Sequence, residues 1–224
     1  MVTLFDRELK FVFTSPLFIS LELVPAILSI AVQNIIPSKL LPIVWLMIIF
    51  YSTYFELELW RKSFLKKNIK LMVYTSSSPY TPFLIHCIVS LLLLELKTLI
   101  FILPYLNLQN LSIFLTATHV NWLFSLSLGT ILSRDVFNDM ADSTANFLCI
   151  LVFSTIALLI INSTTADSQV SFSLKSYWPI PSVNSADINI INNIIAVFLI
   201  STILFAIAIY ANSMVTKRLL LGGY

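Results

Sequence analysis

Six long apolar stretches set the strongest limit on the fold of this chain. Each holds about 20 mostly apolar residues, the length that an α-helix needs to cross a membrane. Only 11% of the 224 residues are charged, whereas about 25% are charged in a typical soluble domain. The sequence therefore predicts one all-α, polytopic transmembrane domain over residues 1–224, with spans at 17–36, 40–59, 82–104, 111–133, 144–163 and 189–213.

One polar and basic segment, Leu57–Pro82, separates the second and third stretches. It carries five cations: Arg61, Lys62, Lys66, Lys67 and Lys70. Its apolar residues recur at a near-helical spacing, so a helix here has one apolar and one basic face. Such a helix lies in the membrane surface or docks on a partner. We predict a cytoplasmic coupling-type helix between spans two and three; the plainer alternative is a positive loop without a partner.

The positions of Lys and Arg predict the orientation of the spans, because cytoplasmic loops carry an excess of these residues. Two of them, Lys39 and Lys175, fall on one side of the predicted spans. Ten fall on the other side: Arg7, Lys10, the five of the basic segment, Arg134, Lys217 and Arg218. Both termini are therefore predicted to be cytoplasmic, or in the matrix of a mitochondrion. A bacterial inner membrane and a mitochondrial inner membrane both fit this pattern.

The N-terminal residues predict a short amphipathic helix. Phe5, Leu9, Val12 and Phe13 share one face, while the charged residues lie elsewhere. Pro16 ends or bends this helix before the first span. We predict an interfacial helix on the cytoplasmic surface; the alternative is a simple extension of span one.

Seven ionisable residues fall inside the predicted spans: Glu22, His86, Glu95, Lys97 and His119, with Glu56 and Glu58 at the inner end of span two. Such residues usually face protein or a water-filled cavity. Glu95 and Lys97 are two apart, so they point to nearly opposite sides of their helix. His86, Ser90 and Lys97 share a face, which predicts a candidate polar path across the membrane. The alternative is that Glu95 bonds a polar group on a neighbouring helix while Lys97 snorkels to the outer surface.

The sequence carries no recognisable catalytic set. Patterns for a Ser-His-Asp triad, HExxH, CxxC and GxxxxGK[ST] do not occur in it,. Cys87 and Cys149 lie in apolar runs and suggest neither a disulfide nor a metal site. Histidines can be axial haem ligands, but His86 and His119 lie on different helices and at different depths. We expect a non-catalytic membrane subunit without a bound metal, with any energy supplied by a partner.

Four short motifs resemble the CcmB family, the permease-like subunits of the haem exporter of cytochrome c maturation. The opening Arg7-Glu8-Leu9-Lys10 with Phe13 is similar to the family's R-x-E-L-x-x-x-F start. Trp45 in LPIVW is similar to its G-x-x-W. Glu56 and Glu58, followed by Trp60 and Arg61, are similar to its E-R-x-F-R. The stretch LMVYTSSSPYTP is similar to the segment that leads into span three, although KSFLKKNIKL is basic where the family is acidic.

The resemblance implies a function and partners. An ABC ATPase subunit would dock beneath the basic segment and contact Trp60, Arg61, Lys62, Phe64, Lys66, Lys67 and Lys70. Haem would be the cargo rather than a bound cofactor. Other membrane proteins of cytochrome c maturation would be partners, together with the lipid bilayer, and the membrane unit would be multimeric. Nucleic acid is not an expected partner.

Three other functions stay open at this point. The chain could belong to another type-2 ABC exporter that carries a lipid-linked glycan or a small amphiphile. It could also be a structural or assembly subunit of an organellar membrane complex, because intramembrane charges occur at subunit contacts too. An ion-coupled secondary transporter fits less well, since no internal repeat or broken-helix glycine is visible.

Overall fold

The computed structural model describes residues 2–31, 41–65, 68, 78–102, 111–132, 147–156 and 188–220. Within these ranges the secondary structure is helical and contains no strand. The helices are α1 (Val2–Thr14), α2 (Pro16–Ala31), α3 (Leu41–Leu59), α4 (Thr81–Ile102), α5 (Leu111–Ile131), α6 (Phe147–Ile156) and α7 (Ile188–Leu220). A π-helical segment, Trp60–Leu65, continues α3.

Four of the described helices are long and apolar enough to cross a membrane. The qualifying stretches are Ile43–Lys62, Thr81–Phe101, Leu111–Ile131 and Asn192–Leu219. The all-helical class is therefore confirmed, and the helices fit a membrane protein. Helices α2 and α6 are shorter, with 16 and 10 residues, and the chain beyond each lies outside the described residues. The count of six spans stays a prediction.

Two helix boundaries differ from the predicted spans. The last helix continues seven residues past the predicted end at 213 and carries Lys217 and Arg218 in its final turn. Cations at this end favour the helix dipole. The predicted coupling helix also does not begin as a separate element, because Trp60–Leu65 continues α3 directly. The rest of the basic segment up to Ser77 falls outside the described residues, apart from Asn68.

Proline sets the start of two helices, for a simple chemical reason. Pro16 has no N–H to donate to the preceding turn, so α1 ends and α2 begins at this point. The backbone bonds around the junction are Ser15 N to Phe11 O, at 3.0 Å, and Ile19 N to Ser15 O, at 3.1 Å. Pro82 occupies the first turn of α4, where a missing N–H costs nothing.

Helix α1 packs against α4 through a face that differs in part from the predicted one. Leu4, Glu8 and Val12 are buried, each one turn after the last. Phe13, predicted on the apolar face, is 59% exposed. The reason is that Glu8 bonds to His86 of α4, and this contact turns the Leu4–Glu8–Val12 side of the helix inward.

Helices α3, α5 and α7 run in the same direction. At one end of α3, Trp45 Nε1 donates to Thr118 Oγ1 of α5 at 3.3 Å. At the other end, Arg61 reaches both Thr130 near the end of α5 and Asn212 near the end of α7. The C-terminal ends of the three helices therefore meet at one end of the bundle, called here the Arg61 end.

Helix α4 runs antiparallel to α3. Phe101, at the end of α4, stacks on Trp45 with ring centroids 4.2 Å apart. His86, near its start, stacks on Trp60 at 4.3 Å. Helices α3, α4 and α5 therefore alternate in direction. Short connections between successive membrane spans produce this arrangement.

A close approach of α3 to α5 depends on Gly129. A Cβ atom at this position would lie 3.1 Å from Tyr54 Cδ2 and 3.6 Å from Leu57 Cδ2. The first distance is shorter than an ordinary carbon–carbon contact, so the missing side chain lets Tyr54 pack flat against α5. Small residues serve this purpose at helix contacts in membranes.

Helix α6 covers the side of α3 that α4 does not. Phe153 stacks on Phe50 at 4.8 Å, and the hydroxyls of Tyr51 and Ser154 are hydrogen-bonded at 2.7 Å. Phe50 and Phe153 belong to a second apolar cluster, separate from the larger one, to which α1, α4, α5 and both halves of α3 contribute. Helix α3 is thus buried between two groups of neighbours.

Candidate functional site

The buried side of α3 carries polar groups at helical spacing. Ser52, Glu56 and Trp60 follow one another at four-residue intervals, so they project from one side of the helix. All three are buried. Burying a polar group is costly unless it finds partners. The neighbours of these three residues include Lys97 and His86 of α4.

The first contact joins α1, α3 and α4. Glu8 Oε1 lies 2.8 Å from His86 Nδ1, and both side chains are 1% exposed. With Glu8 ionised, the imidazole N–H donates to the carboxylate. Trp60 covers the imidazole face, with an angle of 17° between the ring planes. Among the described residues, neither His86 Nε2 nor Trp60 Nε1 has a hydrogen-bond partner.

The second contact is a buried ion pair between α3 and α4. Lys97 Nζ donates to Ser52 Oγ at 3.0 Å and lies 4.0 Å from Glu56 Oε2. Lys97 is buried, so the expectation that it snorkels to the outer surface is wrong. A carboxylate one helix away satisfies the ammonium group inside the bundle, and moving Lys97 outward would leave Glu56 buried without it.

His86, Ser90 and Lys97 do share the buried face predicted for them. All three are about 1% exposed, and Trp122 Nε1 of α5 donates to Ser90 Oγ at 3.0 Å. The face points into the bundle, where each residue has a protein partner. Whether it also conducts a substrate stays a prediction.

The third contact lies at the Arg61 end. The Arg61 guanidinium donates to the carbonyl oxygen of Thr130 at 3.5 Å and to Asn212 Oδ1 at 3.4 Å, and its side chain is fully buried. Both bonds come from Nη2, whose two hydrogens can reach two helices at once,. Arg61 therefore ties the end of α3 to the ends of α5 and α7.

The opposite end of the interior is closed by aromatic rings. Trp45 of α3, Phe101 of α4 and Phe114 of α5 are stacked, with centroids 4.2, 5.9 and 6.4 Å apart. All three are buried. The buried polar contacts described here therefore lie between the Arg61 end and Lys97, and the aromatic stack lies beyond them.

Glu95 and His119 form a separate pair that lies at the surface of the bundle. His119 Nε2 is 2.7 Å from Glu95 Oε1, and His119 Nδ1 donates to the carbonyl oxygen of Leu115 at 2.6 Å. This confirms the prediction that Glu95 bonds a polar group on a neighbouring helix. It also confirms that Glu95 and Lys97 point in different directions.

The residues predicted to contact an ATPase divide into three groups. Trp60 and Arg61 are buried and hold α3 to its neighbours. Lys62 is exposed and pairs with Glu58 at 3.3 Å, one turn back on the same helix. The side chains of Phe64, Lys66, Lys67 and Lys70 lie outside the described residues, as does that of Glu22. The coupling role stays a prediction for the whole group.

Several residues of this network were not singled out from the sequence. Ser52, Trp122, Thr130 and Asn212 each make an interhelical hydrogen bond. The spacing of Ser52, Glu56 and Trp60 was a signal that could have revealed the polar side of α3. Asn212 stands out as an amide within an apolar helix.

The described residues offer no ready metal centre. They contain no group of three or more His, Cys, Asp or Glu side chains placed to hold a metal ion. Cys87 and Cys149 are free and buried. His86 and His119 contact different carboxylates at different places.

Comparisons with known proteins add no assignment. A scan against protein-family models, a search of curated proteins and a search of solved structures each returned no match to this chain.

Proposed function

We propose that this chain is the membrane (permease) subunit of an ABC-type exporter of the CcmB kind, which delivers haem for cytochrome c maturation and is energised by a separate ATPase. One observation carries the proposal: the residues that resemble the family's motifs have buried contacts between helices. Glu8 bonds His86, Trp45 bonds Thr118, Glu56 pairs with Lys97, Trp60 stacks on His86, and Arg61 bonds Thr130 and Asn212.

The contacts around Trp60 and Arg61 would give an ATPase a mechanical connection to the spans. In the proposal, the ATPase docks on the basic segment, which follows directly after the π-helical segment. A displacement of that segment would pull on Trp60, and through it on α4 and α1. It would pull equally on Arg61, and through it on α5 and α7. Interlocked side chains transmit such shifts because packed contacts resist continuous deformation.

The buried ion pair would hold the resting state closed. Any path for cargo along the face of His86, Ser90 and Lys97 requires α4 to move away from α3. That movement separates the Lys97 ammonium from the Glu56 carboxylate in a membrane interior, and separating two opposite buried charges is costly. The transporter would therefore stay closed until nucleotide binding in the ATPase supplies the energy.

The burial of Trp60 and Arg61 sharpens the proposed docking surface. Because both side chains are inside the bundle, direct contacts with an ATPase would begin at Lys62 and extend through Lys66, Lys67 and Lys70. Basic side chains on this surface suit an acidic groove in the partner. In this arrangement both termini lie on the ATPase side of a bacterial or mitochondrial inner membrane.

The direct test is purification of the tagged chain from its native membrane in a mild detergent, followed by mass spectrometry of its partners. A stoichiometric partner with a GxxxxGK[ST] motif is the expected result. Cytochrome c maturation proteins in the same preparation would support haem as the cargo. An ATPase partner without maturation proteins would favour another amphiphile as cargo. Respiratory-complex subunits without an ATPase would overturn the proposal and favour a structural subunit.

A charge-reversal pair locates the docking surface. Lys66→Glu with Lys67→Glu should abolish co-purification of the ATPase, because like charges would then face the acidic partner. The matched control is Lys217→Glu with Arg218→Glu, which makes the same charge change on exposed residues at the end of α7. Equal ATPase recovery from both variants would place the docking contacts elsewhere.

A further inference from the structure

The Glu95–His119 pair is unusual because it faces outward from the bundle. The Glu95 side chain is 45% exposed and the His119 side chain is 35% exposed. Ser112 and Thr116 are also exposed and precede His119 by two turns and one turn on α5. These four residues form an exposed polar patch, called here the Glu95 patch. Leu92 and Leu99, exposed on the neighbouring turns of α4, border it.

The patch lies within the length of both helices that would be in the membrane. Glu95 precedes the end of the apolar stretch Thr81–Phe101 by six residues, or about 9 Å of helix,. His119 lies eight residues into the stretch Leu111–Ile131, or about 12 Å,. A glutamate is too short to reach water over such a distance. Groups of this kind at such a depth almost always face protein or a water-filled cavity.

The hydrogen bonds of the patch determine what can cover it. The Nδ1–H group of His119 donates to the Leu115 carbonyl oxygen, and its Nε2 atom is hydrogen-bonded to Glu95 Oε1. Thr116 donates its hydroxyl hydrogen to the Ser112 carbonyl at 2.7 Å. What the patch offers outward is mostly acceptors: the second carboxyl oxygen of Glu95, which has no partner among the described residues, and the hydroxyl oxygen of Thr116.

We infer that the Glu95 patch binds a transmembrane helix of a second membrane protein, which supplies a hydrogen-bond donor to Glu95. A lipid chain offers no donor, whereas an Arg, Lys, Trp, Asn or Gln side chain does. A second copy of this chain would present the same acceptor-rich surface and would leave it unsatisfied across a two-fold axis. The inference concerns a contact within the membrane and does not depend on transport or on an ATPase.

Photo-crosslinking in the native membrane tests this directly. A p-benzoylphenylalanine at Thr116 is expected to link the chain to one different protein, with the linked peptide inside an apolar segment that contains a donor side chain. The matched control is the same photo-reactive residue at Ile203, which is 64% exposed on α7 and should give no such product. Glu95→Leu should reduce the yield at position 116 by about threefold to twentyfold, the range of interhelical hydrogen bonds in membranes. Glu95→Gln keeps an acceptor and should retain most of the yield.

Four results would overturn the inference. They are a product of two copies of this chain, a link to another segment of the same chain, equal products at positions 116 and 203, and a yield that Glu95→Leu leaves unchanged. A steric variant covers the case in which Glu95→Leu does not fold. Leu99→Trp adds bulk beside Glu95 without touching the pair and should also lower the yield, while Ile203→Trp should not.

Discussion

The buried pair of Lys97 and Glu56 gives the sharpest energetic prediction. Their charged atoms are 4.0 Å apart and both side chains are 1% exposed. At an effective dielectric constant of about 20, such a pair attracts by about 4 kcal/mol. Removing one member of a buried pair costs about 3–5 kcal/mol, because the other charge stays buried without its opposite charge. Lys97→Met should therefore lower the free energy of unfolding by about 3–5 kcal/mol, and Glu56→Gln by a similar amount.

The double variant separates a specific pair from general damage to the core. Lys97→Met keeps the volume and removes the charge, so the combination with Glu56→Gln leaves no unpaired charge behind. We expect the double variant to cost about 1 kcal/mol, far less than either single variant, because a neutral core can replace a buried ion pair. If the costs of the two single variants instead add up in the double variant, the pair is not coupled and the reasoning is refuted.

The assay is reversible unfolding in mixed micelles, followed by tryptophan fluorescence as a denaturing detergent is added. Ser52→Ala provides an internal check, since Ser52 accepts a hydrogen bond from Lys97. It should cost about 1.5–3 kcal/mol in the natural chain, as expected for a bond to a charged group, and little in the Lys97→Met background. Leu99→Met, at an exposed site on the same helix, should leave the unfolding curve unchanged.

Two further predictions concern packing and sidedness. Gly129→Ala should cost about 1–3 kcal/mol of unfolding free energy in the same assay, because its Cβ would press on Tyr54,; a cost near zero would show that Tyr54 moves aside freely. Cysteines that replace Lys62 and Lys217 should react with an impermeant thiol reagent from one side of the membrane, because both positions lie at the Arg61 end. A cysteine that replaces Ser112, at the opposite end of α5, should react only from the other side. Labelling of all three from the same side would contradict the parallel arrangement of α3, α5 and α7.

Apolar length and helical periodicity predicted much of the fold. The starts of α4 and α5 fall within one residue of the predicted spans, because Pro82 and a run of apolar residues mark them clearly. The opposite directions of Glu95 and Lys97 followed from their spacing alone. Both features depend on local geometry, which the sequence contains.

The partners of the buried charges could not be predicted in the same way. Lys97 was expected to snorkel or to line a path, since nothing near it in sequence reveals that Glu56 of another helix lies opposite. Trp60 and Arg61 were assigned to a docking surface because an amphipathic pattern does not distinguish a face that meets a partner from one that meets its own bundle. The roles of Glu8 and Asn212 likewise depend on which helices pack together, and this is decided by tertiary contacts far apart in the chain.

The π-helical bonding of Trp60–Leu65 has a consequence for the direction in which the basic segment leaves the bundle. In a π-helix each hydrogen bond spans one residue more than in an α-helix, so this segment holds one extra residue. In an α-helix one residue corresponds to about 100° of rotation. If the segment reverted to α-helical bonding, the chain after Leu65 would swing by about that angle around the axis of α3. Trp60 would stay in place against His86. The basic side chains after Leu65 would then point in a different direction relative to a bundle that has not moved.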